Sequence, residues 1–239
     1  AEGVAWEGID GTGPEGAIVE ADVRGVLEER AGRTVREVLP IPRTAVAGWW
    51  SGAVTVSAEA LLSLLAGWER AGLGIQTIYL TVVLLLAAAG RTPRINATID
   101  GDAATVWNEV RPAVGVETDE GVRWPVLPGA DGRTPRLLAA ARRAVEADVL
   151  AGTHPARGYR GATIAVRAAT HARIARLTST PPAGVGAALG IGAPQPAPGG
   201  GQTLQVELTV DARLASVVPV ERFLAHLAAA FENPLGALE

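Results

Sequence analysis

The sequence contains no cysteine, no methionine and no lysine, so all 21 of its basic residues are arginines. The missing cysteines exclude disulfides, thiol nucleophiles and thiolate-ligated metals. The missing lysine excludes a Schiff-base or lipoylated lysine on this chain. Aromatic residues make up only 4% of the sequence and there are three histidines. Few side chains are therefore available as bases near neutral pH.

Strong charge of one sign and long apolar runs are also missing. The formal net charge is -4, so we expect no nucleic-acid partner. The most apolar run, residues 78–89, is shorter than the roughly 20 residues that a bilayer requires, and it predicts a buried helix over residues 76–89 rather than a membrane segment. No basic segment precedes an apolar stretch, so the cytoplasm is the expected compartment. The spacing of His, Asp and Glu predicts no metal site.

The length of 239 residues and the 48% of hydrophobic residues suit one large domain or one domain with a short appendage. Residues 39–44, with two prolines, are predicted to form an extended arm or linker. Apolar periodicity elsewhere predicts alternating strands and helices, and hence an α/β or α+β fold with a mixed sheet. The predicted strands are 52–57, 94–99, 105–110, 114–117, 122–127, 162–167, 185–191 and 203–210, and the predicted helices are 58–70, 76–89, 134–150 and 219–231.

The stretch "LTVDARLASVVPVERFL" (208–224) predicts a strand, a turn and a helix. Asp211 and Arg213 stand at the end of the strand, where many enzymes place their chemistry. The residue between them is Ala212, and no group that titrates near neutral pH lies beside the pair. The pattern therefore raises the question whether this is an active site that lacks its catalytic groups.

Several segments together resemble one family: "RINATIDGD" (94–102), "VGVETDEGVRWPVL" (114–127), "TPPAGVGAALGIG" (180–192) and "FENP" (231–234). They are similar to the core of the dihydrolipoamide acyltransferases of 2-oxo acid dehydrogenase complexes. The resemblance implies a chloramphenicol acetyltransferase-like two-layer sandwich with a mixed sheet over residues 34–239. It also implies a homotrimer with sites between subunits. Residues 1–33 contain a segment that resembles part of a peripheral subunit-binding domain.

The family's signature is D-H-R-x-x-D-G, in which the histidine is the general base. Asp211 and Arg213 fix the register, so the resemblance places the histidine position at Ala212 and the second aspartate position at Ser216. A second family element carries a serine that stabilises the oxyanion, and its position falls on Arg167. Base, carboxylate and oxyanion donor are thus all replaced, and the usual coenzyme A-dependent acyl transfer is expected to be nearly abolished. The Asp211–Arg213 pair is expected to be structural.

The remaining candidates for catalysis are His171 and Arg167. His171 would be a relocated base or ligand, while Arg167 would hold an anion or form a structural ion pair with an acid such as Glu117. His154 is expected to be a surface residue and His226 an exposed or satisfied helix residue. Trp124, Arg123 and Glu117 are the candidates for binding substrate along an altered channel wall, with a place in the core as the alternative for Trp124.

Two functions stay open. The first is a non-catalytic pseudoenzyme subunit for assembly or partner binding, for example with a dehydrogenase complex. The second is a repurposed enzyme of specialised metabolism of the tetronate or polyketide type. It would perform acyl transfer or elimination on coenzyme A or acyl-carrier substrates. A pocket lined by Arg167, Trp124 and His171 would favour the second function, and a filled site would favour the first.

Overall fold

The computed structural model describes residues 35–42, 48–70, 92–127, 135–214 and 217–237, together with Gly13, residues 17–20, Val23 and Arg33. The predicted helix over residues 76–89 and most of the predicted segment 1–33 lie outside the described residues. Eleven strands, three α-helices and two short 3-10 helices are described: β1 (Val35–Pro40), β2 (Trp49–Ser57), α1 (Glu59–Arg70), a 3-10 turn (Pro93–Ile95), β3 (Ala97–Asp100), β4 (Ala103–Trp107), β5 (Pro112–Val114), β6 (Val116–Thr118), β7 (Gly121–Arg123), α2 (Pro135–Leu150), a 3-10 turn (Ala156–Tyr159), β8 (Ile164–Ala168), β9 (Ala187–Ile191), β10 (Gln195–Pro196), β11 (Gln202–Asp211) and α3 (Val217–Glu232).

The main sheet is mixed, as the sequence predicts. Strands β5, β8 and β9 run parallel, and β11 pairs antiparallel with β9, β10 and β2. Strand β11 is central because its ten residues pair over their length with β2 on one side and with β9 and β10 on the other. The strand and helix predictions around residues 134–150, 162–167, 185–191, 203–210 and 219–231 all fall on described elements.

The two faces of this sheet differ in chemistry because successive side chains of a strand point to opposite sides. On one face, Val206, Leu208 and Val210 of β11 are fully buried. Helix α3 packs there on β2 and β11, and α1 packs against α3. Phe223 and Phe231 of α3 are also fully buried and belong to this main core. This packing is the apolar layer of the fold.

The opposite face of the sheet carries small and polar side chains. Ala165, Ala188 and Ala113 form a compact cluster on this face, and their small size leaves room for covering chain. Beyond the cluster, residues 169–181 cross the sheet so closely that a Cβ at Gly190 would lie 1.8 Å from the carbonyl oxygen of Leu177. Glycine at this position is therefore what lets the crossing segment, here called the strap, lie against β9.

The second sheet corrects two predictions. Residues 39–44 are predicted to be an arm or linker, but Leu39 and Pro40 end β1, which pairs antiparallel with β4 in a three-stranded sheet of order β1-β4-β3. Proline is tolerated there because β1 is an edge strand. The predicted strand 94–99 begins later than expected, because the Pro93–Ile95 turn precedes β3.

Candidate active site

The end of β11 holds the Asp211–Arg213 pair. Arg213 Nε donates to Asp211 Oδ1 across 2.9 Å and Nη2 donates to Oδ2 across 2.8 Å. The backbone N–H of Arg213 adds a third bond to Oδ1, at 2.9 Å. Burial raises the pKa of Asp211, but the hydrogen bonds from Arg213 outweigh burial, so the pKa lies below its ordinary value. The carboxylate is charged and held by three donors, which is the geometry of a structural ion pair.

Ala212, between the two charges, supplies only a methyl group at the position predicted for the family's base. Its backbone N–H donates to the carbonyl oxygen of Gly48 across 2.9 Å. Ser216, predicted to replace the second aspartate, lies outside the described residues. Neither Asp211, whose oxygens receive three hydrogen bonds, nor Arg213 has the near-neutral pKa that general base catalysis requires.

Arg167 lies on β8 and is engaged by an acid. Its Nη2 donates to Glu117 Oε1 on β6 across 2.5 Å, and Thr170 Oγ1 donates to Glu117 Oε2 across 3.0 Å. The hydrogen bond from Arg167 is the largest cause that lowers the pKa of Glu117, and Thr170 adds to it. Two alternatives for Arg167, an anion-binding group and a structural ion pair, are open in the sequence, and the structure places Arg167 in an ion pair. Glu117 is occupied by the same pair.

Side chains converge over Gly115 next to this pair. A Cβ at Gly115 would meet Arg167 Cγ at 3.2 Å and both Trp124 Cζ3 and Val122 Cγ1 at 3.3 Å. Arg142, almost fully buried on α2, lies behind the same residue, with Nη2 3.5 Å from the carbonyl oxygen of Gly115. A side chain at Gly115 would therefore press on Arg167, Trp124 and Val122, and glycine lets these three side chains pack closely together.

The other two predicted binding residues, Trp124 and Arg123, lie in different surroundings. Trp124 packs against the small cluster of Ala113, Ala165 and Ala188, in agreement with the core alternative. Arg123 points away from the site, since its side chain pairs with exposed Glu120 in the hairpin β6–β7. The structure therefore brings together Arg167, Glu117 and Trp124 and leaves Arg123 outside.

The three histidines have separate surroundings. His171 is exposed on the strap, and its Nδ1 accepts a hydrogen bond from the backbone N–H of Arg173 at 3.2 Å. His226 lies 3.3 Å from Thr92 Oγ1 through Nδ1, so the prediction of a satisfied helix histidine is confirmed. The prediction that His154 is a surface residue is wrong, because it is half-buried and its ring stands edge-on to Tyr159 at 4.9 Å between centroids.

The two ends of the predicted site are far apart within one chain. Arg167 pairs in register with Gly190 and through it with Glu207, whereas Asp211 lies four residues further along β11. Four residues of a strand correspond to about 13 Å, and β9 lies between β8 and β11. A single chain therefore does not bring Ala212 to Arg167.

Sequence reasoning missed a third acid, Glu207, on the face of the main sheet that the strap crosses. Its side chain is 2% exposed and accepts hydrogen bonds from Arg176 Nε, Ser51 Oγ and Thr178 Oγ1 at 2.5, 2.8 and 2.9 Å. Arg176 and Thr178 belong to the strap, so Glu207 fastens the strap to the sheet. The available signal was its alternation in β11 with buried valines and leucines.

Two kinds of feature are missing from the described part of the chain. No group of three His, Asp or Glu side chains there is arranged to hold a metal ion. None of its helices combines the length and the apolar character needed to cross a membrane.

Comparison with known proteins defines the class. The sequence model for the 2-oxoacid dehydrogenases acyltransferase (catalytic domain) family matches residues 51–239. The chain therefore belongs to this family. A comparison with curated protein sequences finds no match.

Solved structures agree with this assignment. The dihydrolipoamide acetyltransferase of Azotobacter vinelandii is similar at 19% identity over 81% of this chain and 85% of that chain, with a TM-score of 0.72. A truncated catalytic core of the 2-oxoacid dehydrogenase multienzyme complex from Thermoplasma acidophilum has 15% identity over 89% and 95%, also with a TM-score of 0.72. A chloramphenicol acetyltransferase has 14% identity over 77% and 88%, with a TM-score of 0.56. At these identities the likeness establishes the fold, which is the predicted chloramphenicol acetyltransferase-like fold.

Proposed function

We propose that this chain is a non-catalytic member of the acyltransferase family, a pseudoenzyme subunit that serves assembly or partner binding. The observation that carries the proposal is the Arg167–Glu117 ion pair. The resemblance puts the oxyanion-stabilising serine at the position of Arg167, and here that side chain is bound to a carboxylate of its own chain.

The other end of the site supports the same proposal. The Azotobacter relative was studied for the roles of a serine, a histidine and an asparagine in its catalytic mechanism. The motif resemblance assigns Arg167 to the family's serine position and Ala212 to its histidine position. A general base contributes about 10²–10⁴-fold to a rate, and one oxyanion donor about 10²–10³-fold. Loss of both predicts a chain without useful turnover.

We infer that the residues around Arg167 do not suit the thioester of coenzyme A. The family's serine would offer a hydroxyl to the thioester carbonyl, whereas Arg167 Nη2 is bound to Glu117. A thioester would also meet Glu117, whose lowered pKa keeps it negatively charged at neutral pH.

Assembly is the role that the scaffold retains. The Thermoplasma relative is the catalytic core of a multienzyme complex. By analogy we propose a homotrimer, with a dehydrogenase complex as the partner class. Light scattering coupled to gel filtration tests the trimer, which should have three times the chain mass of 24.5 kDa. A monomer at micromolar concentration would contradict it.

The alternative is a repurposed enzyme that performs acyl transfer or elimination in specialised metabolism, on coenzyme A or acyl-carrier substrates. It requires a base next to Arg167, and His171 is the sequence candidate. The exposed position of His171 on the strap and the pairing of Arg167 with Glu117 favour the pseudoenzyme.

A thiol-release assay separates the two functions. The chain is incubated with acetyl-coenzyme A and either dihydrolipoyl or hydroxyl acceptors, with an active family member as positive control. The proposal predicts release at the background rate. Acceptor-dependent release that is lost in His171→Ala would establish the repurposed enzyme instead.

A further inference from the structure

A cavity of about 190 Å³ lies at the Asp211 end of β11, and we call it the Trp49 cavity. Pro181, Val185 and Asp211 line it and are buried, whereas Trp49 and Ala183 line it and are exposed. Arg213 also contributes to the wall. The cavity thus has a buried floor and an exposed rim. Because an apolar cavity of about 150 Å³ accommodates benzene, this volume suits a ligand built on one small ring.

The polar group of the cavity is the guanidinium of Arg213. Its Nε–Nη2 edge is occupied by the two oxygens of Asp211. Among the described residues no acceptor is hydrogen-bonded to Nη1, and the side chain is 31% exposed. A guanidinium has a second edge, Nη1–Nη2, that matches a carboxylate with two parallel hydrogen bonds. Asp211 therefore holds Arg213 by one edge, and the Nη1–Nη2 edge remains available to a ligand.

The charge of the ligand follows from the Asp211–Arg213 ion pair. The two oxygens of Asp211 already accept three hydrogen bonds from Arg213, so the carboxylate has little to offer a cation. The remaining donors of Arg213 favour an anion. The apolar wall includes Trp49 and the consecutive prolines Pro181 and Pro182, whose flat faces suit a planar apolar body.

We propose that the Trp49 cavity binds a small carboxylate with a planar apolar body, with its carboxylate on the free edge of Arg213 and its ring against Trp49. The site is distinct from the Arg167–Glu117 pair, which lies about 13 Å away along the strand direction. The proposal goes beyond the assembly role and holds whether or not the chain turns over an acyl substrate.

Benzoate is the probe, and benzamide is its neutral control of the same shape. The full chain is titrated calorimetrically with each. We expect benzoate to bind with one-to-one stoichiometry and benzamide to bind at least about tenfold more weakly, since hydrogen bonds to a charged group exceed those to a neutral one. Equal binding of the two probes, or no benzoate binding at millimolar concentration, would overturn the proposal.

Variants locate the binding. Trp49→Leu removes the ring wall, and Trp50→Leu is its matched control, since the two indoles are similarly exposed, at 47% and 45%, but point to opposite faces of β2. We expect about a tenfold loss in Trp49→Leu and no change in Trp50→Leu. Arg213→Lys keeps a cation beside Asp211 without a forked edge and should also lose benzoate affinity. Equal effects of the two tryptophan variants would contradict the assignment, and circular dichroism checks that each variant is folded.

Discussion

Arg167 Nη2 and Glu117 Oε1 lie 2.5 Å apart and join β8, inside the main sheet, to the β6–β7 hairpin. This contact occupies the place where the family resemblance expects a free serine hydroxyl. An acyltransferase needs a donor at that position that is free for the reacting carbonyl, whereas Arg167 Nη2 is bound to Glu117. The pair is the observation that supports the proposed non-catalytic role.

Breaking this pair should cost little stability. We expect Glu117→Gln to lower the free energy of unfolding by about 0–1 kcal/mol, because partly exposed ion pairs are screened by water. The side chains of Arg167 and Glu117 are 25% and 45% exposed. Urea denaturation measures the change, with Glu120→Gln at the more exposed Arg123 pair as control. A loss well above that range would show that the pair supports the fold rather than merely fills the site.

Acid should destabilise the protein in a definite pH window. Burial raises the pKa values of Glu207 and Asp211, but both lie below their ordinary values of 4.5 and 3.8. The hydrogen bonds from Arg176, Ser51 and Thr178 to Glu207, and those from Arg213 to Asp211, together with the arginine charges, outweigh burial. A lowered folded-state pKa contributes stability above the unfolded pKa, and that stability is lost as pH falls through the folded pKa. Urea midpoints should therefore be level near neutral pH and decline from about pH 4.5 downward.

The variant Glu207→Gln tests the origin of this decline. Glutamine cannot lose a charge on acidification, so the variant should be less stable than the parent at pH 7 and show a shallower decline below pH 4.5. A parent whose stability rises on acidification, or a variant with an unchanged slope, would exclude Glu207 as a source of acid sensitivity.

Substitution of two glycines by alanine should change the stability of the protein in opposite directions. Gly190→Ala places a methyl against the carbonyl oxygen of Leu177 and should cost about 1–3 kcal/mol through overpacking. Gly67 lies inside α1 with no atom within 4 Å of a Cβ, so Gly67→Ala should stabilise by about 0.5–1 kcal/mol. Thermal unfolding of both variants measures the contrast, and a neutral Gly190→Ala would mean that the strap does not press on β9.

Restoring the base alone should not restore activity. Ala212→His supplies an imidazole after Asp211, but Arg167 still pairs with Glu117 where the oxyanion donor is needed. We expect thiol release from acetyl-coenzyme A to stay at background in this variant, while the unfolding midpoint changes little because Ala212 is only half-buried. A clear rise in release would show that the site lacks only its base.

The sequence predicts the sheet well because its strands are local patterns with strong alternation. The family resemblance also implies a structural pair of Asp211 and Arg213, and the two side chains form an ion pair. The sequence names Glu117 as a partner for Arg167, although 50 residues separate them. What it misses are contacts made by the strap, which crosses the sheet without regular structure. The Arg176–Glu207 bond and the close approach of Leu177 to Gly190 depend on that crossing, and no local pattern encodes it.

The Trp49 cavity could not be predicted for a similar reason. Its wall combines β2, β3, residues 181–185 and the end of β11, which meet only through pairings such as Ile99 with Gly184 and Trp49 with Asp211. The sequence marks Asp211 and Arg213 as notable but contains no pattern that joins them to a tryptophan more than 150 residues earlier.

The measurement that tests the central claim most directly is a calorimetric titration of the purified chain with acetyl-coenzyme A and free coenzyme A. Thiol release to dihydrolipoyl and hydroxyl acceptors is followed in the same sample. A non-catalytic chain predicts no release above background, with or without saturable binding of coenzyme A. Saturable binding together with acceptor-dependent release would contradict the account and return the search for chemistry to Arg167 and His171.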